Sequence, residues 1–174
     1  LETLELDLQP AVREALTLDD TKVPAAKDFY LRARGYLQEY DKPENIAHAI
    51  SLFEEAINLD PGYSLANAGL GEAYCRKYQK TQQTEWIDSA QKACQKALIP
   101  NEKLAAAHGC LATVNSGTGH YEEAIPQFQR ALESEPTNDE FRRELARTEE
   151  KLGKIQDAEK TLQQAITLRP HYWA

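Results

Sequence analysis

Methionine is absent from this chain of 174 residues, tryptophan occurs twice and cysteine three times. The missing initiator methionine predicts that the sequence is a piece of a longer protein. No apolar run reaches the about 18 residues that a membrane-spanning helix needs, so we expect no membrane insertion by this fragment. A basic segment followed by an apolar core is also lacking, which argues against a signal peptide in this stretch.

An excess of basic charge is lacking as well. The chain has 20 Lys and Arg residues against 28 Asp and Glu, for a formal net charge of −8. The two signs are interspersed and form no basic stripe, which argues against nucleic acid and against an acidic membrane surface as partners. With 41% hydrophobic and 28% charged residues, the composition is that of an ordinary folded domain.

The cysteines are too few and odd in number for a closed disulfide framework. Cys75, Cys94 and Cys110 all occupy helical pattern positions, so we expect buried or half-buried free thiols. An alternative is that Cys94, His108 and Cys110 converge as metal ligands across neighbouring repeats, but no fourth ligand is evident. The redox compartment stays open.

Catalytic motifs are missing too. The four histidines are scattered, and there is no HExxH, no CxxC pair, no GxSxG elbow and no GK[ST] phosphate loop. Gly119 is expected at a turn between helices, where positive φ is often required. The acidic pairs are expected on solvated outer helix faces, as at Glu149 and Glu150. We therefore predict no enzymatic activity, no metal and no cofactor for this fragment.

What the chain does contain is a repeated pattern of small residues seven apart. Each pair encloses a bulky or soft apolar residue and is followed by a proline. The pairs are Ala49 and Ala56 around Phe53, Ala90 and Ala97 around Cys94, Ala124 and Ala131 around Phe128, and Ala158 and Ala165 around Leu162, with Pro61, Pro100, Pro136 and Pro170 behind them.

A second amphipathic segment precedes each pair. It is clearest in the second copy, where Leu70, Gly71 and Tyr74 follow a helical period, and Leu111 with Ala112 and Leu145 with Ala146 repeat it. A small residue at this point lets two antiparallel helices approach closely, so each unit is predicted to be a helical hairpin.

This pattern resembles the tetratricopeptide repeat, whose period is about 34 residues. The resemblance implies an all-α fold, an α-solenoid of stacked antiparallel helical hairpins wound into a right-handed superhelix. We divide the chain accordingly into an N-terminal helical arm and linker at 1–24, four repeats at 25–62, 63–102 (longer), 103–138 and 139–172, and the start of a further repeat or capping helix at 173–174. The arm is expected to dock on the first hairpin or in the groove.

The resemblance also implies a concave wall built from the first helices of the hairpins, along which a partner peptide lies. Carrying the family's exposed positions onto this chain predicts a groove with apolar, small and charged parts. Its candidate partner-binding residues are Tyr30, Arg34, Leu37, Glu72, Arg76, Thr113, Arg143 and Arg147. The Lys/Asn clamp of chaperone-binding members is not matched, which argues against a chaperone-tail adaptor.

A narrower resemblance rests on the runs Tyr30-Leu-Arg-Ala-Arg-Gly-Tyr-Leu37, Asp41-Lys-Pro-Glu-Asn45 and Ala66-Asn-Ala-Gly-Leu-Gly-Glu-Ala-Tyr74. They look like the repeat arrays C-terminal to bacterial serine/threonine protein kinase domains, and similar arrays follow other bacterial signalling domains. Any kinase activity would belong to another part of the protein. The compartment is not determined: the cytoplasm is slightly favoured, and a membrane helix upstream would place the array outside it.

The hypothesis is therefore a non-catalytic protein–protein interaction module of a bacterial signalling protein, binding a protein or peptide in its concave groove. The alternative is a structural array that forms homo-oligomers through its end repeats. The apolar residues Leu162, Ile166 and Leu168 of the last helix have no following hairpin to cover them, which favours self-association of the uncapped C-terminal repeat.

Overall fold

The computed structural model describes residues 21–168, and this part of the chain is helical without strands. Eight helices follow one another: Pro24–Gln38 (α1), Pro43–Leu59 (α2), Ser64–Thr81 (α3), Glu85–Leu98 (α4), Ala105–Gly117 (α5), Tyr121–Ser134 (α6), Asp139–Lys151 (α7) and Ile155–Leu168 (α8). Residues 1–20 of the predicted N-terminal arm and linker, and the start of a further repeat or capping helix expected at 173–174, lie outside the described residues. None of the eight helices is long and apolar enough to cross a bilayer.

The helices pair as antiparallel hairpins that stack in one direction. Each odd-numbered helix packs on the helix that follows it, and α2, α4 and α6 pack on the first helix of the next hairpin. The first helices α1, α3, α5 and α7 also touch one another in succession. This arrangement is a helical-repeat solenoid, and it confirms the fold class expected from the sequence.

The hairpin turns have local causes in the sequence. Proline occupies the first turn of α1 and of α2, where its missing N–H leaves no hydrogen bond unmade. Gly119 and Gly153 stand in the last two hairpin turns with φ of +84° and +81°, which confirms the positive φ expected at Gly119. Asn138 caps α7 by accepting a hydrogen bond from the backbone N–H of Phe141.

The core follows the seven-residue pattern of small residues. All eight alanines of the four pairs are buried, and Phe53 and Phe128 are enclosed between hairpins at 0% and 1% exposure. Small residues are selected here because any larger side chain would hold the paired helices apart. The pattern read from the sequence is therefore the packing pattern of the interior.

The pattern breaks at the last helix. Ile155, Leu162 and Ile166 of α8 are 51%, 44% and 43% exposed. Their counterparts in the first hairpin are the core residues Ile46 and Phe53 and the partly buried Ile57. Within residues 21–168 no further hairpin packs on this face. The exposed apolar face expected on the final helix is therefore present.

Two of the three cysteines differ from expectation. Cys94 of α4 and Cys110 of α5 are joined in a disulfide with their Cα atoms 5.7 Å apart, while Cys75 is a buried free thiol. Both ring nitrogens of His108 are engaged, by Gln127 and by the carbonyl of Glu102. The prediction of free thiols is wrong for Cys94 and Cys110, and these residues do not converge with His108 as metal ligands.

Glu149 also departs from the expected outer face. Its side chain is buried in α7, where its carboxylate accepts a hydrogen bond of 2.9 Å from the hydroxyl of Thr161 on α8. Burial raises the pKa of this carboxyl, and the Thr161 hydrogen bond offsets only part of the effect. Glu150, the next residue, is exposed as expected.

Replacing Glu149 with glutamine is expected to stabilise the fold at neutral pH. A carboxyl whose pKa is higher in the folded state than in the unfolded state destabilises the fold when it is ionised, at pH values above the folded-state pKa. This destabilisation disappears as pH falls to the pKa of the unfolded state. The gain in unfolding free energy should therefore be largest near pH 7.5 and shrink at pH 5. Urea denaturation at both values measures it, with Glu150→Gln as the exposed control. A gain that grows on acidification would contradict the assignment.

Candidate binding groove

A cavity of about 500 Å³ opens on the face where the first helices of the hairpins meet. All four of these helices contribute to it, which makes the wall concave. Its principal lining residues are Tyr30 and Arg34 from α1; Leu65, Ala68, Gly69, Glu72, Arg76 and Gln79 from α3; Ala106, Gly109, Cys110 and Thr113 from α5; and Glu140, Phe141, Glu144 and Arg147 from α7. We call this cavity the groove.

Small residues form the middle of the groove. Ala68, Ala106 and Gly109 leave the backbones of α3 and α5 close to the surface. At Gly109 an added Cβ would overlap the ring of Phe141, so the glycine is what allows α7 to approach α5. A backbone or a helix of a partner can therefore come near the floor at Ala68 and Ala106, with Tyr30 and Phe141 available for apolar contact.

A chain of ion pairs runs along one side of the groove and crosses between hairpins. The carboxylate of Glu72 forms ion pairs with the guanidinium of Arg34 on α1 at 2.5 Å and with that of Arg76 on its own helix at 3.8 Å. Arg76 also reaches Glu140 of α7 at 3.7 Å and lies over the ring of Tyr40, 4.3 Å from its centroid. The guanidinium of Arg76 thus joins the second hairpin to the fourth.

The arginines of the groove are charged and partly open to solvent. Burial alone would lower the pKa of Arg34, but the Glu72 carboxylate, together with Tyr30 and Glu140, more than offsets this and raises it. Arg147 pairs with Glu144 at 2.6 Å on the surface of α7. Pairs of this kind contribute at most about 1 kcal/mol, so the carboxylate of a ligand can replace either glutamate at little cost.

Six of the eight residues selected from the sequence line the groove: Tyr30, Arg34, Glu72, Arg76, Thr113 and Arg147. Leu37, which the sequence placed among the exposed partner-binding residues, instead lies in the core with Ile46 and Ile50 at 5% exposure. Arg143 is exposed but stands outside the lining. The residues of α7 that line the groove are Glu140, Phe141, Glu144 and Arg147. Arg143 is about 160° from Phe141 around the helix, beyond the edge of that face formed by Glu140 and Arg147.

Several lining residues are not predicted by the sequence. They include Gln79 of α3 and Phe141 and Glu144 of α7. Gly69, Cys110 and Glu144 each lie four residues after one lining residue and three residues before another, on the same face of their helices. This spacing of three and four residues is the sequence signal that indicates their place in the lining. The closeness of Phe141 depends on how α7 sits on α5.

The family model described as the tetratricopeptide repeat matches residues 117–174. No curated protein matches the chain. A thermophilic TPR protein from Thermus thermophilus is similar in structure, with a TM-score of 0.75 and 21% identity over 92% of this chain and 80% of that one.

Two further solved structures share the fold. One is the Sgt2 TPR domain from Aspergillus fumigatus, with a TM-score of 0.62 and 16% identity over 81% of this chain and 86% of that one. The other is the first TPR of Spaghetti (RPAP3) bound to HSP90 peptide SRMEEVD, with a TM-score of 0.59 and 21% identity over 75% of this chain and 94% of that one. The described residues thus have the tetratricopeptide-repeat fold, and residues 117–174 match that repeat family in sequence as well.

Proposed function

We propose that the protein is a non-catalytic interaction module that binds a segment of a partner protein in the groove. One observation carries the proposal: a cavity bounded by all four first helices combines a floor of small residues with arginines at its side. The similar Spaghetti (RPAP3) repeat is bound to a peptide, which supports a peptide as the type of ligand.

The composition of the groove limits the chemistry of the partner. Arg34, Arg76 and Arg147 offer forked donors for carboxylates, while Glu140 and Glu144 offer acceptors for basic groups. Tyr30 and Phe141 supply apolar contact at the two ends. The partner segment that fits is one with apolar side chains towards its two ends and charged side chains, including a carboxylate, between them.

Replacing Arg147 with alanine is expected to weaken the binding of such a segment about tenfold, since one charge-assisted contact is lost. The change in unfolding free energy should stay within about 0.5 kcal/mol, because the side chain is exposed. Peptides selected from a random 15-residue display library on the wild-type protein provide the probe, and calorimetry measures the affinity.

Arg143→Ala is the matched control, because Arg143 stands on the same helix outside the groove. It should leave the affinity of the selected peptides unchanged. Equal losses for the two variants, or a library that yields no peptide sensitive to Arg147, would count against the groove as the binding site. A large loss of stability at Arg147 would contradict its placement on an exposed wall.

A second candidate function is self-association through α8. Its support is the exposed apolar face made by Ile155, Leu162 and Ile166. Light scattering over a concentration series tests it. The apparent mass of the wild-type protein should rise with concentration, and the mass of Leu162→Glu should stay at the value of a monomer. A wild-type mass that is constant and monomeric would exclude this function for the isolated chain.

We also propose that the array belongs to a bacterial signalling protein. Its support is the resemblance of the runs within residues 30–74 to arrays that accompany bacterial serine/threonine kinase domains. The coding sequence that adjoins the codon for Leu1 provides the test. A kinase, cyclase or regulator domain there would support this attachment, and further repeats alone would contradict it.

A further inference from the structure

The same two repeat positions hold different pairs at successive hairpin boundaries. At the first boundary Phe53 of α2 fills the interior, and its ring lies against Gly69 of α3, 16 residues further on. At the second boundary Cys94 of α4 occupies the position of Phe53, and Cys110 of α5, also 16 residues further on, occupies that of Gly69. The two positions that form an aromatic–glycine contact at the first boundary form a disulfide at the second.

The surroundings are shaped for this bond. Cys94 is fully buried, and it packs with Cys75, Ala90 and Val114. Gly71 of α3 lies so close that an added Cβ would overlap both sulfur atoms. Repeats three and four carry alanine at the corresponding position, as Ala112 and Ala146. The second hairpin therefore has the extra space that the bonded sulfurs need.

We propose that Cys94 and Cys110 form a redox-controlled crosslink between the second and third hairpins, in place of the aromatic contact that joins the first and second. To form it, each thiol gives up one proton and one electron. The two protons and two electrons reduce one molecule of a small disulfide, such as oxidised glutathione, to two thiols. Reduction by a dithiol reverses the exchange.

The geometry also defines the course of reduction. Cys110 borders the groove at 5% exposure, whereas Cys94 is 0% exposed. We therefore expect a thiolate to attack from the groove side at the sulfur of Cys110 and to displace Cys94. Cys75 does not compete, since burial raises the pKa of its thiol to about 12 and keeps it protonated at neutral pH. Once the bond is reduced, no covalent link holds α4 to α5, and the boundary loosens.

Thiol counting on the full chain tests whether the crosslink forms. The protein is equilibrated in buffers with graded ratios of oxidised to reduced glutathione, quenched in acid, then denatured and alkylated for mass spectrometry. The expected labelling falls from three cysteines to one as the ratio rises, with Cys75 retaining the label and the peptides of Cys94 and Cys110 linked. Three labels at every ratio, or a bond that involves Cys75, would overturn the proposal.

Thermal unfolding tests whether the crosslink holds the boundary. The midpoint of the reduced protein should be roughly 10 °C below that of the oxidised protein. Cys75→Ser should retain this difference, and the double variant Cys94→Ser with Cys110→Ser should abolish it. Equal midpoints for the oxidised and reduced wild-type protein would show that the bond does not hold the boundary.

A transplant of the aromatic pair tests the equivalence of the two boundaries. The double variant Cys94→Phe with Cys110→Gly reproduces the pair Phe53 and Gly69 at the second boundary. We expect it to fold with a midpoint that is insensitive to reductant and above that of the reduced wild-type protein. A midpoint below that of the reduced wild-type protein would show that the disulfide does not take the place of an aromatic contact.

Discussion

Replacing Phe53 with alanine is expected to destabilise the protein by about 3–5 kcal/mol. The side chain is 0% exposed between the first and second hairpins, and its ring centroid lies 5.9 Å from that of Tyr30. Truncation removes the largest fully buried side chain of this boundary and leaves a cavity that rigid helices on both sides cannot close. Guanidinium denaturation followed by circular dichroism measures the loss.

Phe29 provides the comparison for Phe53. It lies on α1 and is only partly buried against the same core. Phe29→Ala should therefore cost less than half as much. Its truncation removes less buried apolar surface from the core, and a site at the surface leaves no closed cavity. Similar losses for the two variants would show that Phe53 does not hold the boundary through enclosure.

Replacing Gly69 with alanine is expected to destabilise the protein by about 1–3 kcal/mol, although alanine is the better helix former. The added Cβ would lie 2.5 Å from the ring of Phe53, which is enclosed and has no free direction in which to move. Helix propensity favours alanine by about 1 kcal/mol, and the overlap outweighs this gain. Chemical denaturation gives the sign directly.

Gly35 is the matched control, since it lies within α1 and no atom stands within 4 Å of an added Cβ. Gly35→Ala should stabilise the protein by about 0.5–1 kcal/mol through helix propensity alone. The two substitutions are thus predicted to have opposite signs. Phe53→Leu combined with Gly69→Ala should cost less than the sum of the single changes, because the smaller side chain gives room. Additive losses would contradict the contact.

The repeat architecture could be read from the sequence because it depends on local periodicity. Small residues seven apart on a helix mark a face that another helix approaches closely, as at Ala49 and Ala56, and this signal needs no knowledge of distant contacts. The turn at Gly119 was predictable for a similar reason, since its positive φ is a property of one residue. Most of the groove positions followed from the repeat register in the same way.

The features that the sequence did not predict depend on how one hairpin sits on the next. Leu37 lies only three residues from Arg34, yet it faces the core because of the angle at which α1 packs on its neighbours. Glu149 and Glu150 look alike in sequence, and the packing of α8 buries only the first of them. Phe141 joins the groove because Gly109 allows α7 to come close to α5.

By itself, the sequence determined that the described part of the chain folds into stacked helical hairpins. It also determined which helix faces are buried and roughly where a groove runs. The tertiary structure decided which side chains meet across the hairpin boundaries: Cys94 with Cys110, Arg76 with Glu140, and Glu149 with Thr161. Helical periodicity specifies the face on which a residue lies. The partner on the facing helix depends on the relative rotation and translation of two hairpins, which the packing of the whole boundary sets.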